Sequence, residues 1–533
     1  MRIKKLFSIF SALLVLILGS AHGASINIML PGTTEPLQIT MDTVKRTTRA
    51  LAMRLNSQSD VVYANMMPVE TSWNGGGMFA RIDNQTYQVG VPPKFFITTT
   101  PNTTSFSFKI SARGSFYIDW GDGNVETFIK NNTTNTTYSH TYTSAGEHKI
   151  SIGGHVTSYA TGATISAINF SSNTNIAKIE GSLGAIFSTI GDGSASSQQP
   201  RFYNTFYMCT NLAGSIPKDL FTGIKGKPVT YMFNNTFRGC SGLNGSIPEE
   251  LFAGIEGTPA SSMFSGTFWG CRGLEGTIPE NLFAKIEGQP ASSMFYGTFS
   301  GCSGLGGTIP ENLFAKIEGK PASSMFYATF NECSKLSGPI PEKLFAKIEG
   351  APASGMFYYT FLKCTNIDGP IPGNIFAKIT GKPAADMFHG TFAQTSVNSA
   401  IPANLFAGID GQPAKGMYSG LFSGCSHLSG AIPNKLFGKI YGAPAANMFY
   451  GTFTNCSSLT SIPEDLFGDI SGTAATDMFR EAFSNCTSLT GPSARINGEY
   501  LYNIWPDENN GCYHYASGLS DFGNIPEGWK TYN

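Results

Sequence analysis

The chain has 533 residues with a formal net charge of -1, 13% charged residues against an ordinary share of about 25%, and 61 Gly and 40 Phe. That length accommodates two or three compact domains, or one domain plus a repeat array whose size no single core limits. The neutral balance provides no basic field, which argues against nucleic acid or an acidic membrane surface as a partner.

Residues 1–23 read as an export signal. Arg2, Lys4 and Lys5 precede the apolar run Leu6 to Leu18, and Ala21-His22-Gly23 places small residues at a cleavage site before Ala24. The expected location is therefore outside the cytoplasm: secreted, at the cell surface, or in the periplasm. The first cysteine is Cys209, so no lipid-anchor cysteine succeeds the signal, and no later apolar run is long enough for a transmembrane segment. Residues 24–95 form a spacer in which Thr43 to Leu55 has the spacing of a short basic amphipathic helix.

From Phe96 the rhythm becomes that of strands, with Ser105-Phe106-Ser107-Phe108-Lys109-Ile110 and Ser115-Phe116-Tyr117-Ile118-Asp119-Trp120 separated by polar turns. Gly121-Asp122-Gly123 supplies a hairpin turn. His140, His148 and His155 fall among Asp119, Asp122, Glu126 and Glu147, but none has the short ligand spacing of a zinc motif, and two loop aspartates are too few to hold calcium. No metal or cofactor is expected. Asp119-Trp120-Gly121-Asp122-Gly123 followed by His140-Thr141-Tyr142 resembles the PKD domain, and the resemblance implies an immunoglobulin-like β-sandwich over 96–156 that acts as a spacer or adhesion module. Residues 157–200, with strand-like Ile165 to Phe170 and Ile176 to Ile179, read as the N-terminal cap of a repeat array that begins at 201.

From 201 to 486 the chain repeats. The register is marked by Met232, Met263, Met294, Met325, Met356, Met387, Met417, Met448 and Met478, spaced by 31 residues with two exceptions of 30. A period so regular predicts stacked coils, because a unit of that size cannot bury its own apolar face. Within one copy, Leu305 to Ile309 reads as a short inward-facing strand, Pro310 to Ile317 as a helix begun by proline, and the segment after Pro321 as a second helix with Phe326, Phe330 and Cys333 on one face. The predicted class is an α/β repeat solenoid of about 31 residues per coil, one short parallel strand plus two short helices, behind a small all-β sandwich. Residues 487–533 read as the C-terminal cap.

Phe299-Ser300-Gly301-Cys302-Ser303-Gly304-Leu305 followed by Ile309-Pro310 resembles the BspA-like leucine-rich repeats of bacterial surface proteins. The resemblance covers about 290 residues and implies a secreted or cell-surface binding protein, often an adhesin.

Nine of the ten cysteines occupy one repeat position, and Thr395 replaces them in one copy. This favours a buried column of free thiols over a disulfide framework, although neighbouring coils about 5 Å apart keep bridges within reach. The outward strand positions are small and mostly neutral, without a nucleophile, and their two carboxylates, Glu275 and Asp368, stand three coils apart, too far to work as a pair, so catalysis is not expected. A column after Met-Phe holds Tyr296, Tyr327, Tyr358, His389 and Tyr450, an aromatic ridge suited to a protein or glycan ligand, or a cover for the seam between coils. A third column, Lys285, Lys316, Lys347, Lys378 and Lys439 beside Glu287, Glu318 and Glu349, reads as a solvated surface with its charges compensated between coils. The expectation is an exported, non-catalytic, adhesin-like binding protein, the alternative being a periplasmic or envelope scaffold without an external ligand.

Overall fold

A computed structural model describes residues 95–507 and 510–531, and ahead of them only strand backbone. The export signal expected at 1–23 falls outside the fully described residues. Residues 43–45 and 50–55, expected in a helix, lie instead in the antiparallel strands Leu37–Lys45 and Ala50–Leu55.

The first described unit has two sheets. Strands β1 (Lys94–Thr99), β2 (Thr103–Ile110), β3 (Arg113–Asp119), β4 (Val125–Lys130), β5 (Thr136–Gly146), β6 (Lys149–Ser158), β7 (Ile168–Asn169) and β8 (Ile176–Gly181) succeed one another in chain order. One sheet runs β4-β3-β6-β1-β8 and the other β5-β2-β7. Alternation does its expected work in β2, where Phe106, Phe108 and Ile110 are buried and the residues between them are exposed. Phe108 packs on Trp120 and Phe170 at 5.9 and 5.3 Å between ring centres, joining the sheets. The last two strands, within the stretch read as a cap, extend both sheets and carry them into the repeats. Phe170 stacks on Phe206 of the first coil at 5.4 Å, and the Cys209 thiol donates to the Phe170 carbonyl.

The repeats stack, but the α/β class with two helices per coil is wrong. Among the described residues α-helix is confined to Leu501–Ile504 and Glu527–Lys530, with 3-10 turns at Ser196–Gln198 and Phe522–Asn524, and the rest are strands, turns and loops. The segment from Ser293 to Cys302 shows why. Ser293, Phe295, Gly297, Phe299 and Gly301 donate their N–H groups to carbonyls of the next coil at 2.7–3.0 Å, while Tyr296, Thr298, Ser300 and Cys302 donate three residues back. A helix keeps its N–H groups for itself, whereas here every second one is spent on a neighbour. Such a path requires a left-handed residue at every fourth position, here Ser293, Gly297 and Gly301 with φ of 55°, 58° and 71°. The helix expected over Pro310 to Ile317 fails likewise: Leu313, Ala315 and Ile317 each bond three residues back as successive turns. The strand shrinks to isolated parallel bridges such as Gly307 with Leu336, or at most to the short parallel pairs Asp368–Gly369 with Ser396–Val397 and Gly430–Ala431 with Leu459–Ser461, and a left-handed glycine such as Gly307 limits the run of extended backbone.

Side chains complete the stack. Met294, Phe295, Phe299, Cys302, Leu305, Ile309, Leu313, Phe314 and Ile317 of one coil are all buried, each contributing about 1.5–3 kcal/mol if fully removed from water. Phe295 lies parallel to Phe326 at 5.8 Å, Phe299 to Phe330 at 5.9 Å, and Phe314 to Phe283 at 6.1 Å, so three phenylalanine columns run through the core. The Thr298 hydroxyl donates to the Phe264 carbonyl and the Cys302 thiol to the Phe268 carbonyl, both at 3.0 Å. Backbone N–H groups therefore reach forward to the next coil while Thr and Cys reach back to the previous one. All ten cysteines are free and buried, and Thr395, which stands in the column, donates instead to the Phe392 carbonyl of its own coil. At the far end Tyr513 stacks on Phe483 at 5.6 Å, and Trp529 covers Tyr513.

Candidate functional site

Four of the five residues of the expected aromatic column come together. Tyr296 stacks on Tyr327 at 4.3 Å and 9°, Tyr327 on Tyr358 at 4.5 Å and 3°, and Tyr358 on His389 at 4.3 Å and 16°. All four are half-buried. They stack because the coils repeat in register, which sets equivalent side chains one above another. Tyr450 is half-buried but separated from the ladder, since Ser419 occupies the intervening coil; its charged neighbour is Arg480.

The structure adds members that no repeat column had indicated. Trp269 lies 6.0 Å from Tyr296, and the Arg238 guanidinium sits 4.1 Å over the Trp269 ring, extending the line of π systems to six successive coils. Gly297 makes room for this, since a β-carbon there would meet the Trp269 ring at 2.7 Å. At the other end Tyr359 stands edge-on to both Tyr358 and His389, at 4.3 and 5.0 Å, and its hydroxyl lies 3.2 Å from His389 Nε2. Asp386 Oδ1 is 3.6 Å from His389 Nδ1. Tyr359 was detectable in principle, because it stands where Gly297, Gly390, Gly420 and Gly451 stand in other coils.

Electrostatics derive from burial. Tyr327 is pushed up to about 12 by burial and then by neighbouring Tyr296, and Tyr358 is raised further, by burial and by Tyr359. The phenols are therefore neutral hydrogen-bonding groups at physiological pH. Burial lowers His389 against the opposing pull of Asp386, which favours a neutral imidazole.

Other candidates are less developed. Of the lysine column, Lys347 pairs with Glu318 at 3.6 Å across coils, half-exposed and of small energetic weight. The Ile-Pro-Glu segments line an open groove whose carboxylates are engaged, Glu249 by Asn281, Glu280 by Asn312 and Glu311 by Lys343. In the sandwich, His140 Nε2 lies 2.7 Å from Asp122 and its ring stacks on Trp120 at 5.2 Å, while Tyr142 donates to the Trp120 carbonyl. Burial opposes ionisation of Asp122, but hydrogen bonds from His140 and Asn124 outweigh it and hold the carboxyl down at about 2. This histidine works as a clasp on a turn. Among the described residues no group of three or more potential ligands is placed to hold a metal ion, and no helix is long and apolar enough to cross a membrane.

No family model matches the chain, nor does any curated protein or solved structure.

Proposed function

We propose that the chain is an exported, adhesin-like binding protein that engages macromolecules outside the cell along its stack of coils. The observation that carries this reading is the half-buried ladder Tyr296, Tyr327, Tyr358 and His389, an uninterrupted aromatic edge on four successive coils. Aromatic side chains with a polar tip are favoured at interfaces because they combine apolar area with hydrogen bonding and lose little conformational freedom. The export signal and the resemblance to BspA-like repeats and the PKD domain support the same reading.

The test is binding of the full chain to a panel of extracellular-matrix proteins and glycans, repeated after replacing Tyr296, Tyr327 and Tyr358 by Ala. Loss of a specific interaction with retained thermal stability is the expected result. Unchanged binding across the panel removes the ladder from the binding surface.

A further inference from the structure

The ladder has one rung that a simple seam between coils would not need. Tyr359 holds φ of 55° in a column where five other coils place glycine and four place Asn204, Asn235, Ala328 and Glu481 in the same left-handed conformation, so what sets it apart is its ring. What the ring forms is a corner: it stands edge-on to Tyr358 and His389, and its hydroxyl meets His389 Nε2 at 3.2 Å.

The stacking decides what the ladder can recognise. With neighbouring rings 4.3–4.5 Å apart and nearly parallel, the faces inside the ladder are covered by each other, leaving ring edges and hydroxyls outward. The result is a row of neutral phenols, one per coil, advancing by about 4.8 Å, the spacing of hydrogen-bonded strands. A β-linked chain of pyranose sugars advances by about the same distance per unit and offers hydroxyls at every unit. Charge along the ladder is sparse: Arg238 is engaged on Trp269, Glu332 and Lys363 neutralise each other at 3.1 Å, burial favours neutral His389, and the Asp386 carboxylate 3.6 Å from His389 is the charge at the corner, which disfavours an anionic ligand.

We infer that Tyr296, Tyr327, Tyr358 and the Tyr359–His389 corner bind a linear, uncharged, β-linked polysaccharide lying along the stack, read through phenol hydroxyls at one sugar per coil. This rests on the reading of the ladder as a binding surface and narrows its ligand to one class.

The experiment is calorimetric titration of the full chain with soluble β-1,4-linked oligomers of glucose, N-acetylglucosamine and xylose, two to six units long. Affinity should rise with each added unit up to four, one per rung, and then level off. Tyr327→Phe, which keeps the stack and removes a hydroxyl, should weaken binding several-fold. Tyr359→Gly should weaken it at least tenfold while the melting temperature holds or rises, an outcome that a merely structural role would not give. Oligomer binding that both variants retain at wild-type strength overturns recognition by hydroxyl edges. Absence of binding to every oligomer overturns the polysaccharide class; a matrix protein whose binding is lost on Tyr→Ala replacement would then leave the broader reading standing, and failure of both assays removes both.

Discussion

Raising the pH should unfold the coil stack through its cysteine column. Burial pushes Cys425 up to about 11 and Cys209, Cys333 and Cys486 up to about 12, and raises Cys240, Cys271, Cys302, Cys364 and Cys456 well above the ordinary thiol value. In the unfolded chain the same thiols ionise at about pH 8.5. A folded-state pKa above the unfolded one gives stability that is complete below the unfolded value and lost as pH climbs toward the folded one. At pH 9.5 each thiol held neutral costs about 1.4 kcal/mol relative to pH 7. The nine of the column together reach about 13 kcal/mol, comparable with the whole stability of an ordinary domain. Guanidinium unfolding of the reduced protein, monitored by circular dichroism at pH 7.5, 8.5 and 9.5, should show the midpoint falling steeply over the last unit. Replacing Cys302 by Ala should lower stability at neutral pH and reduce the column's share of the pH dependence by about one part in nine. A midpoint independent of pH across that range, or native thiols that react freely with a disulfide reagent at pH 8, would refute the reasoning.

Other outcomes are tied to single contacts. Phe299→Ala, removing a ring stacked between Phe268 and Phe330, should cost about 3–5 kcal/mol in chemical denaturation. Gly297→Val places a β-branched side chain at φ 58° and against the Trp269 ring; a lower melting temperature and a shift in tryptophan emission are expected. Thr298→Val leaves the shape but deletes the hydroxyl bond to Phe264, for a loss of about 1 kcal/mol by denaturant midpoint. Asp122, held at about 2, contributes stability that is complete above pH 4 and fades as pH falls through 2. The melting-temperature gap between wild type and Asp122→Asn should therefore close over pH 4 to 2.

The period, the sandwich rhythm and the buried status of the repeated Cys, Leu, Ile and Phe were legible because each is dictated by spacing alone. The local conformation of a coil was not, since Phe326, Phe330 and Cys333 occur at an interval that suits a helix and equally suits a turn path of four residues. The discriminating signal was Gly297 with Gly301, and Gly420 with Gly424, glycines four apart inside the supposed helix. Helical spacing outweighs glycine so long as one segment is considered by itself, whereas the hydrogen bonds that prevail belong to the neighbouring coil. At the site, Tyr296, Tyr327, Tyr358 and His389 could be read as one column, but Trp269 and Arg238 belong to another column, and Trp269 meets Tyr296 only diagonally across coils.

The forward donation of N–H groups also makes assembly vectorial. Whenever the chain has folded as far as one coil and the next is not yet in place, its leading edge is a row of five unsatisfied donors, as at Ser293, Phe295, Gly297, Phe299 and Gly301. Such an edge is a template that accepts one layer at a time, with the sandwich as the seed through the contacts of Phe170 and Ala177 with the first coil. The stack needs a terminator as much as a starter. Gly528 and Trp529 fill that role, turning their carbonyls to the N–H groups of Asn510, Gly511 and Tyr513 where a further coil would otherwise have to dock. A whole 31-residue layer inserted or removed upstream leaves both devices intact, so the length of the stack, and with it the length of the aromatic edge, can change without redesign of either end.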